Sequence, residues 1–371
     1  MSKGSVLRVL GSMSGTSLDG VDAAVLETDG ERILGFGPSD YRAYTSTERE
    51  VIRAAFGQWS GPEVEAAADV VTSAHIDLLS QFEDIDLIGF HGQTLSHDPA
   101  HHRTLQAGSG ERLAEMLGCP VVHDFRSADV SAGGQGAPLA PFYHHACARW
   151  MKEDKPVAFL NLGGIANLTW CDPYMPDPSQ DGAILAFDTG PANAPLNDLM
   201  KTRLGLAEDQ DGRLSAAGHV DETIVAAVLT DPFYSDLPPK SLDRLDVVDL
   251  VDRVGALSDA DAAATLCAVI AATVAAGVRH CPSRPGRLFV TGGGRHNPVM
   301  MAMIAARTEG AADPVEAVGL NGDMLEAQAF AFLAARVLRG LPTSAPGSTG
   351  VTAPICGGFV TDPGKLAKIA L

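Results

Sequence analysis

The sequence predicts an α/β protein of two domains, and three observations carry that prediction. The chain has 371 residues, too many for one ordinary domain and too few for three large ones. Short apolar runs of strand character interleave with helical segments in both halves, as in α/β domains. Each half also opens on the same device, an apolar strand, a glycine-rich turn and a second apolar strand, which suggests two related domains. We place the first domain at residues 1–137, with 355–371 packing back on it, and the second at 138–354.

In the first half, Val6–Leu10 reads as a strand, Gly11–Gly20 as a small-residue turn and Val21–Leu26 as strand again. Helices over Ser46–Phe56 and Glu63–Gln81 precede a buried strand, Asp86–Phe90, with His91-Gly92-Gln93-Thr94 at its end. A helix at Gly110–Leu117 leads into the strand Pro120–His123. The small-residue segment Ser131–Pro138 then precedes a helix over Ala140–Met151. In the second half the strands are Val157–Leu160, Leu168–Trp170, Ile184–Phe187 and Arg287–Val290. Asp172–Asp181, rich in Pro and Asp, reads as a solvated loop, and Asp259–Arg279 and Met324–Arg339 as Ala-rich helices.

The formal net charge of −19 argues against a nucleic-acid-binding surface, which needs clustered Lys and Arg. An anionic ligand would need local help, and backbone N–H groups in glycine turns give it whatever the overall charge. No stretch reaches about 18 consecutive apolar residues, and Met1–Leu10 lacks the apolar core of a signal peptide. The expectation is a cytoplasmic protein with no membrane or nucleic-acid partner. The six cysteines are scattered without a C-x-x-C pair and read as bystander thiols.

Gly15-Thr16-Ser17-Leu18-Asp19-Gly20 gathers two hydroxyls, a carboxylate and two glycines in one turn. Those are the materials for holding a phosphate on backbone N–H and placing a metal-bound water, although a plain hairpin turn is the alternative. It is not a Walker A loop, because no Gly-Lys-Ser/Thr follows. In Asn161–Asn167, Gly163 and Gly164 either let the backbone approach a second phosphate or form an ordinary glycine bulge. Asp188 ends a buried strand; it either aims a carboxylate into a cleft or caps the helix that follows. Thr291–Asn297 sets three glycines between a strand and a helix whose first turn takes Pro298, a joint that suits a nucleotide or a flexible loop. Ser131–Pro138 could be a hinge or a sugar-binding loop. His97-Asp98 and His101-His102 match no standard metal-ligand spacing, and His144 and His145 read as structural.

Taken in order, Met13–Asp22, Gly89–Thr94, Asp124-Phe125-Arg126 with Asp129, Gly133–Leu139, Asn161–Asn167, Phe187–Pro191 and Gly292–Asn297 closely resemble the anhydro-N-acetylmuramic acid kinases, over nearly the whole chain. The resemblance implies an actin/hexokinase-like ATPase fold, two α/β domains around an interdomain cleft. It implies ATP and Mg²⁺ as cofactors. It also implies a reaction in which water opens the 1,6-anhydro ring of the sugar and O6 takes the γ-phosphate, a step in peptidoglycan recycling.

On that resemblance, Gly15, Thr16, Ser17, Leu18, Asp19, Gly20, Val21 and Asp22 would bind one part of the ATP phosphates, with Asp19 holding the metal through water. Gly163 and Gly164 would bind another part, and Gly292, Gly293, Gly294 and Asn297 would lie near the adenosine. Asp188 would take the proton of the attacking water. His91, Gln93, Arg126, Gln135, Asn167 and Glu326 would contact the anhydro-amino-sugar, Arg126 facing its lactyl carboxylate. Asn321–Asp323 and Ser348–Pro354 follow the family pattern only loosely. The competing readings are a kinase of an intact amino sugar or small carboxylate, an actin-like or chaperone-like ATPase, and a glycosidase, which would ask for a second carboxylate. A homodimer is allowed for.

Overall fold

A computed structural model describes residues 5–242 and 247–364. In chain order the strands are β1 (Leu7–Ser14), β2 (Gly20–Thr28), β3 (Ile33–Ala43), β4 (Leu87–Asp98), β5 (Arg103–Ala107), β6 (Val121–His123), β7 (Val157–Leu162), β8 (Ile165–Cys171), β9 (Ile184–Pro191), β10 (Arg287–Thr291), β11 (Ala311–Pro314) and β12 (Phe359–Thr361). The helices that matter here are α1 (Ser46–Ala54), α2 (Pro62–Leu79), α3 (Gly110–Leu117), α4 (Ser127–Ser131), α5 (Pro141–Trp150), α6 (Asn193–Leu204), α7 (Asp259–Val278), α8 (Pro298–Thr308) and α9 (Leu325–Leu338).

Residues 5–152, 175–183 and 324–364 form one compact unit, and residues 153–174, 184–242 and 247–323 the other. The first unit carries a seven-stranded sheet in the order β12-β6-β4-β1-β2-β3, with β5 beside β4. The second carries a five-stranded sheet in the order β11-β10-β7-β8-β9. In each, three antiparallel strands (β1-β2-β3, β7-β8-β9) continue into two parallel ones (β4 and β6, β10 and β11) on the side of the first strand. The echo read from the sequence as strand, turn, strand is therefore a shared five-strand topology. β3 escaped the sequence reading because Gly35, Gly37 and Pro38 break its apolar pattern and its face is largely exposed.

The unit boundary differs from the one drawn on the sequence. Residues 138–152 and 324–354 belong with the first unit. The physical reason is α9, which lies across β1 and β4 through two strand glycines. A Cβ on Gly11 would stand 1.9 Å from the Ala327 carbonyl oxygen, and one on Gly89 2.3 Å from that of Phe330. Helix α5 is tied to α9 by the Tyr143 hydroxyl donating to Gln328 Oε1 at 2.8 Å. At the end of the described chain, β12 pairs antiparallel with β6; residues 365–371 lie outside the described residues.

Two local readings also change. Gly11 lies in β1 rather than in the turn, which narrows to residues 15–19, and His91–Thr94 lies within β4, which runs on to Asp98. Asp172–Asp181 contains no helix or strand, but its Met175 and Pro176 carbonyls accept from His145 Nε2 and Arg149 Nη1 of α5 at 2.9 and 2.8 Å. Among the described residues, α7 alone is long and apolar enough to cross a membrane by length and composition, and 83% of that window is buried inside the protein. It forms the centre of the second unit's core, through Leu266, Val269, Ile270 and Val274.

Candidate active site

In the first unit the β1–β2 turn exposes Thr16, Ser17 and Asp19. Leu18 bridges them in the left-handed region, at φ 60°, with its side chain sunk in the core, and its N–H closes the turn on the Gly15 carbonyl at 3.1 Å. An apolar anchor between polar neighbours leaves the hydroxyls and the carboxylate facing out. Val21 is fully buried within β2 and exposes nothing to a ligand. The base of the turn is braced by Ser14, whose hydroxyl donates to Gln93 Oε1 at 2.5 Å and accepts from the Tyr44 hydroxyl at 3.0 Å. Gln93, expected to touch sugar, is thus a fully buried brace behind the β1–β2 turn. The reason is the β1–β4 register, which sets Gln93 opposite Ser14.

His91 and Arg126 form a pair. The Arg126 Nε–H donates to His91 Nε2 at 3.0 Å, His91 Nδ1–H donates to the Gly92 carbonyl at 2.9 Å, and the imidazole packs on Phe330 at 4.4 Å. Burial, then the Arg126 charge, holds the His91 pKa well below the ordinary histidine range, consistent with a neutral ring that accepts on Nε2. A second nitrogen of Arg126, Nη1, donates to the Gly136 carbonyl at 2.6 Å. Burial pulls the guanidinium down to about 10, against the opposing charges of Glu326 and Asp129. Glu326 reaches solvent, yet the protein around it desolvates its carboxyl and raises its pKa, with Arg126 opposing. His91, Arg126 and Glu326 therefore belong to one electrostatic group.

Asp129 is the residue of this region to which the sequence reading assigned no task. Fully buried, it accepts from the Gly136 N–H at 2.6 Å, from Thr349 Oγ1 at 2.6 Å and from Ser344 Oγ at 2.5 Å. A Cβ on Gly134 would meet its carboxylate at 2.2 Å. One carboxylate thus shapes the Gly133–Gly136 loop, which exposes the Gln135 side chain and presents the Gln135 carbonyl to His97 Nε2 at 2.8 Å. An acidic residue just before a glycine-rich loop was the available signal; Ser344 and Thr349 stand too far along the chain to be read as its partners.

In the second unit the β7–β8 turn, Gly163-Gly164, is gripped by the start of α6: the Asn193 N–H donates to the Gly163 carbonyl at 2.8 Å, the Ala192 N–H to that of Gly164 at 3.0 Å, and Asn193 Nδ2 to the Leu162 carbonyl at 2.7 Å. The triglycine loop lies against the same turn. Gly292 has φ 74°, and a Cβ there would stand 2.3 Å from Asn161 Oδ1 and 2.7 Å from Leu162 O. Arg295, itself buried, locks the loop by donating to the Gly292 carbonyl, Glu316 and Asp323. Gly163, Gly164 and Gly292–Gly294 are therefore brought together. Asn297 is not free for a ligand: its Oδ1 caps α8 by accepting from Val299 and Met300 N–H at 3.0 and 3.1 Å, the ordinary use of Asn before a helix that begins with Pro.

Asp188 stands within β9, which continues to Pro191, so it caps no helix; α6 has Ala192 at its N-cap and no side-chain cap bond. Asn167 Nδ2 donates to Asp188 Oδ1 at 2.9 Å, and the Leu242 N–H to Oδ2 at 2.9 Å. Burial raises the carboxyl pKa above the usual aspartate range, and these two hydrogen bonds pull it back. Asn167 is thereby the orienting partner of Asp188. A carboxylate kept partly desolvated, aimed by two donors, is equipped to take a proton.

Two α/β units of this topology, each with a small-residue turn at its first hairpin, give the chain the actin/hexokinase-like fold. A family model described as anhydro-N-acetylmuramic acid kinase matches residues 7–362, and the chain belongs to that family of ATP-using kinases. Proteins named anhydro-N-acetylmuramic acid kinase from Ruegeria sp. (strain TM1040), Cereibacter sphaeroides and Acidiphilium cryptum are 59%, 61% and 46% identical over 363, 368 and 369 residues. The alignments cover 98%, 99% and 98% of this chain and 97%, 99% and 100% of those proteins. Similar solved structures include the activator of a 2-hydroxyisocaproyl-CoA dehydratase from Clostridium difficile with bound ADPNP, at 13% identity and TM-score 0.45, covering 90% of this chain and 96% of that one. Another is a ROK family glucokinase from Streptomyces griseus with glucose and AMPPNP, at 12% identity and TM-score 0.36, covering 88% and 99%.

Proposed function

We propose that this chain opens the 1,6-anhydro ring of 1,6-anhydro-N-acetylmuramic acid with water and transfers the γ-phosphate of ATP to O6, giving N-acetylmuramic acid 6-phosphate and ADP. The observation that carries the mechanism is the Asp188 carboxylate, desolvated and aimed by Asn167 and Leu242. Asp188 takes a proton from water as the water oxygen bonds to the anomeric carbon. The bond from that carbon to O6 breaks, and O6 bonds to the γ-phosphorus as the bond to ADP breaks. Proton removal by a placed carboxylate is what the water needs, whereas the transfer needs chiefly alignment and charge stabilisation.

The exposed Thr16–Asp19 turn and Gly163-Gly164 offer backbone N–H groups and hydroxyls for the phosphates, and the triglycine loop takes the nucleoside side. The donor set at the first turn, one exposed carboxylate beside two hydroxyls, suits Mg²⁺, which keeps several waters; Asp19 would hold the ion through water, and the ion would supply neutralising charge on the phosphates. Arg126 pairs with the lactyl carboxylate, since His91 and Gly136 occupy its Nε and Nη1 and leave the Nη2 edge for a ligand. Glu326 and the Gln135 side chain complete the polar surroundings of the sugar. The cytoplasm, where ATP is held, is the compartment this reading assigns.

Turnover in ¹⁸O-labelled water tests the reaction. Label is expected in the anomeric hydroxyl, and phosphorylation without incorporation would leave a kinase of intact sugars instead. ATP hydrolysis that ignores the sugar would point to a conformational ATPase. For the sugar side, Arg126→Met is expected to raise KM for the anhydro-sugar about a hundredfold, the worth of a charge-assisted hydrogen-bonded pair, with KM for ATP unchanged. Steady-state kinetics with each substrate varied in turn checks this, and an unchanged sugar KM removes Arg126 from recognition.

A further inference from the structure

Strand β9 is the edge of its sheet, hydrogen-bonded to β8 on one side. Beside Asp188 the other side is covered by residues 240–242. The Asp188 N–H donates to the Lys240 carbonyl at 3.1 Å, and the Leu242 N–H returns to Asp188 Oδ2 at 2.9 Å. One bond fixes the strand and the other fixes the turn of the carboxylate. The segment is itself tied down: Lys240 Nζ donates to the Phe233 carbonyl at 2.8 Å and stands 4.6 Å from the Phe233 ring centroid and 6.0 Å from that of Phe187, the residue before Asp188. Desolvation lowers the Lys240 pKa, so this ammonium is drawn partly out of water to make those contacts. Covering a sheet edge is a common protective device, but protection does not call for an N–H aimed at a side-chain carboxylate.

We propose that residues 240–242 are a positioning element for the reaction, in which the Leu242 N–H is the second of two donors that aim the Asp188 carboxylate and Lys240 is the anchor that keeps it there. This rests on the reading of Asp188 as the base. The titratable groups on the elements packed around Asp188 are Lys240, Asp236, Tyr234 and Asp231 on the covering segment, Cys171 at the far end of β8, Asp259, Asp261 and Cys267 on α7, and His280 just past α7, whose ring meets Phe187 edge-on at 6.3 Å. Asn167 of β8 and Thr273 of α7 are neutral. A carboxylate that loses a hydrogen-bond donor holds its proton more tightly, so the pH below which turnover falls moves upward when the segment is released.

The experiment compares full-length Lys240→Met, Leu242→Pro, Lys240→Arg and Asp188→Asn with the unaltered protein, using anhydro-N-acetylmuramic acid and ATP. It reads kcat and both KM values across pH, together with the thermal midpoint. Lys240→Met and Leu242→Pro are expected to lower kcat about tenfold to a hundredfold, the usual weight of a hydrogen bond to a charged group. KM for ATP should stay within about twofold, and the acid limb of the kcat profile should move to higher pH. Lys240→Arg, which keeps the donor and the cation over the ring, should recover most of the activity. Unaltered kcat and acid limb in both variants, with Asp188→Asn inactive, overturn the proposal and leave the base in place. A lowered midpoint with an unmoved acid limb overturns it too, in favour of edge protection alone. Near-normal turnover of Asp188→Asn overturns both readings. If Leu242→Pro does not fold, Lys240→Met decides.

Discussion

Asp188→Asn is expected to lower turnover by about a hundredfold to ten-thousandfold, the range for loss of a general base, while leaving the affinity for ATP within about twofold. The amide matches the carboxylate in shape but cannot take a proton from water. It also offers one acceptor where the site has two donors, Asn167 Nδ2 and the Leu242 N–H. One donor is left unpaired, so a stability loss of about 1–3 kcal/mol accompanies the catalytic defect. Sugar-dependent ADP release measures the turnover, and titration calorimetry measures ATP binding. In the unaltered protein the carboxyl must be ionised to act, so turnover falls as pH drops through its pKa. Burial places that fall above the usual aspartate range. Near-normal turnover in the Asn variant removes Asp188 from the mechanism.

The second large effect is on folding. Gly11→Val is expected to destabilise the first unit by at least about 3 kcal/mol, the upper part of the range for forcing atoms into a packed core. Its Cβ would stand 1.9 Å from the Ala327 carbonyl oxygen and 2.4 Å from the Ala331 N–H nitrogen, and backbone of α9 cannot swing aside as a side chain can. The measurement is a denaturant or thermal midpoint, with ATP affinity determined on the fraction that stays folded. If Gly11 instead served a phosphate-binding turn, ATP affinity would fall while the midpoint held.

Gly11 also shows how far a sequence can be read. The strands on either side of the first turn, the helix at Gly110–Leu117 and the repetition of strand, glycine turn and strand were visible as apolar runs and glycine clusters. What each glycine is for was not. Gly11 and Gly89 admit a helix more than two hundred residues away in the chain, Gly134 makes room for Asp129, and Gly292 for Asn161. The same holds for polar residues. Gln93 and Asn297 carry side chains able to bind a ligand, and in the fold one braces the β1–β2 turn and the other caps a helix. Asn167 could be named from its motif, but its orienting bond to Asp188 exists only because the pairing of β8 with β9 sets the two residues opposite each other.

By itself, the sequence determined the α/β class, the two glycine-bearing hairpins, and the motifs that place the chain among the anhydro-N-acetylmuramic acid kinases, because strand periodicity and turn chemistry are local properties of neighbouring residues. Only the tertiary structure decided that α5 and α9 complete the first unit, that Asp129 shapes the Gly133–Gly136 loop from within, and that Asp188 is held by a segment some fifty residues further along. Those are contacts between parts of the chain far apart in sequence. Their partners are set by packing and hydrogen-bond geometry, which composition and spacing do not carry.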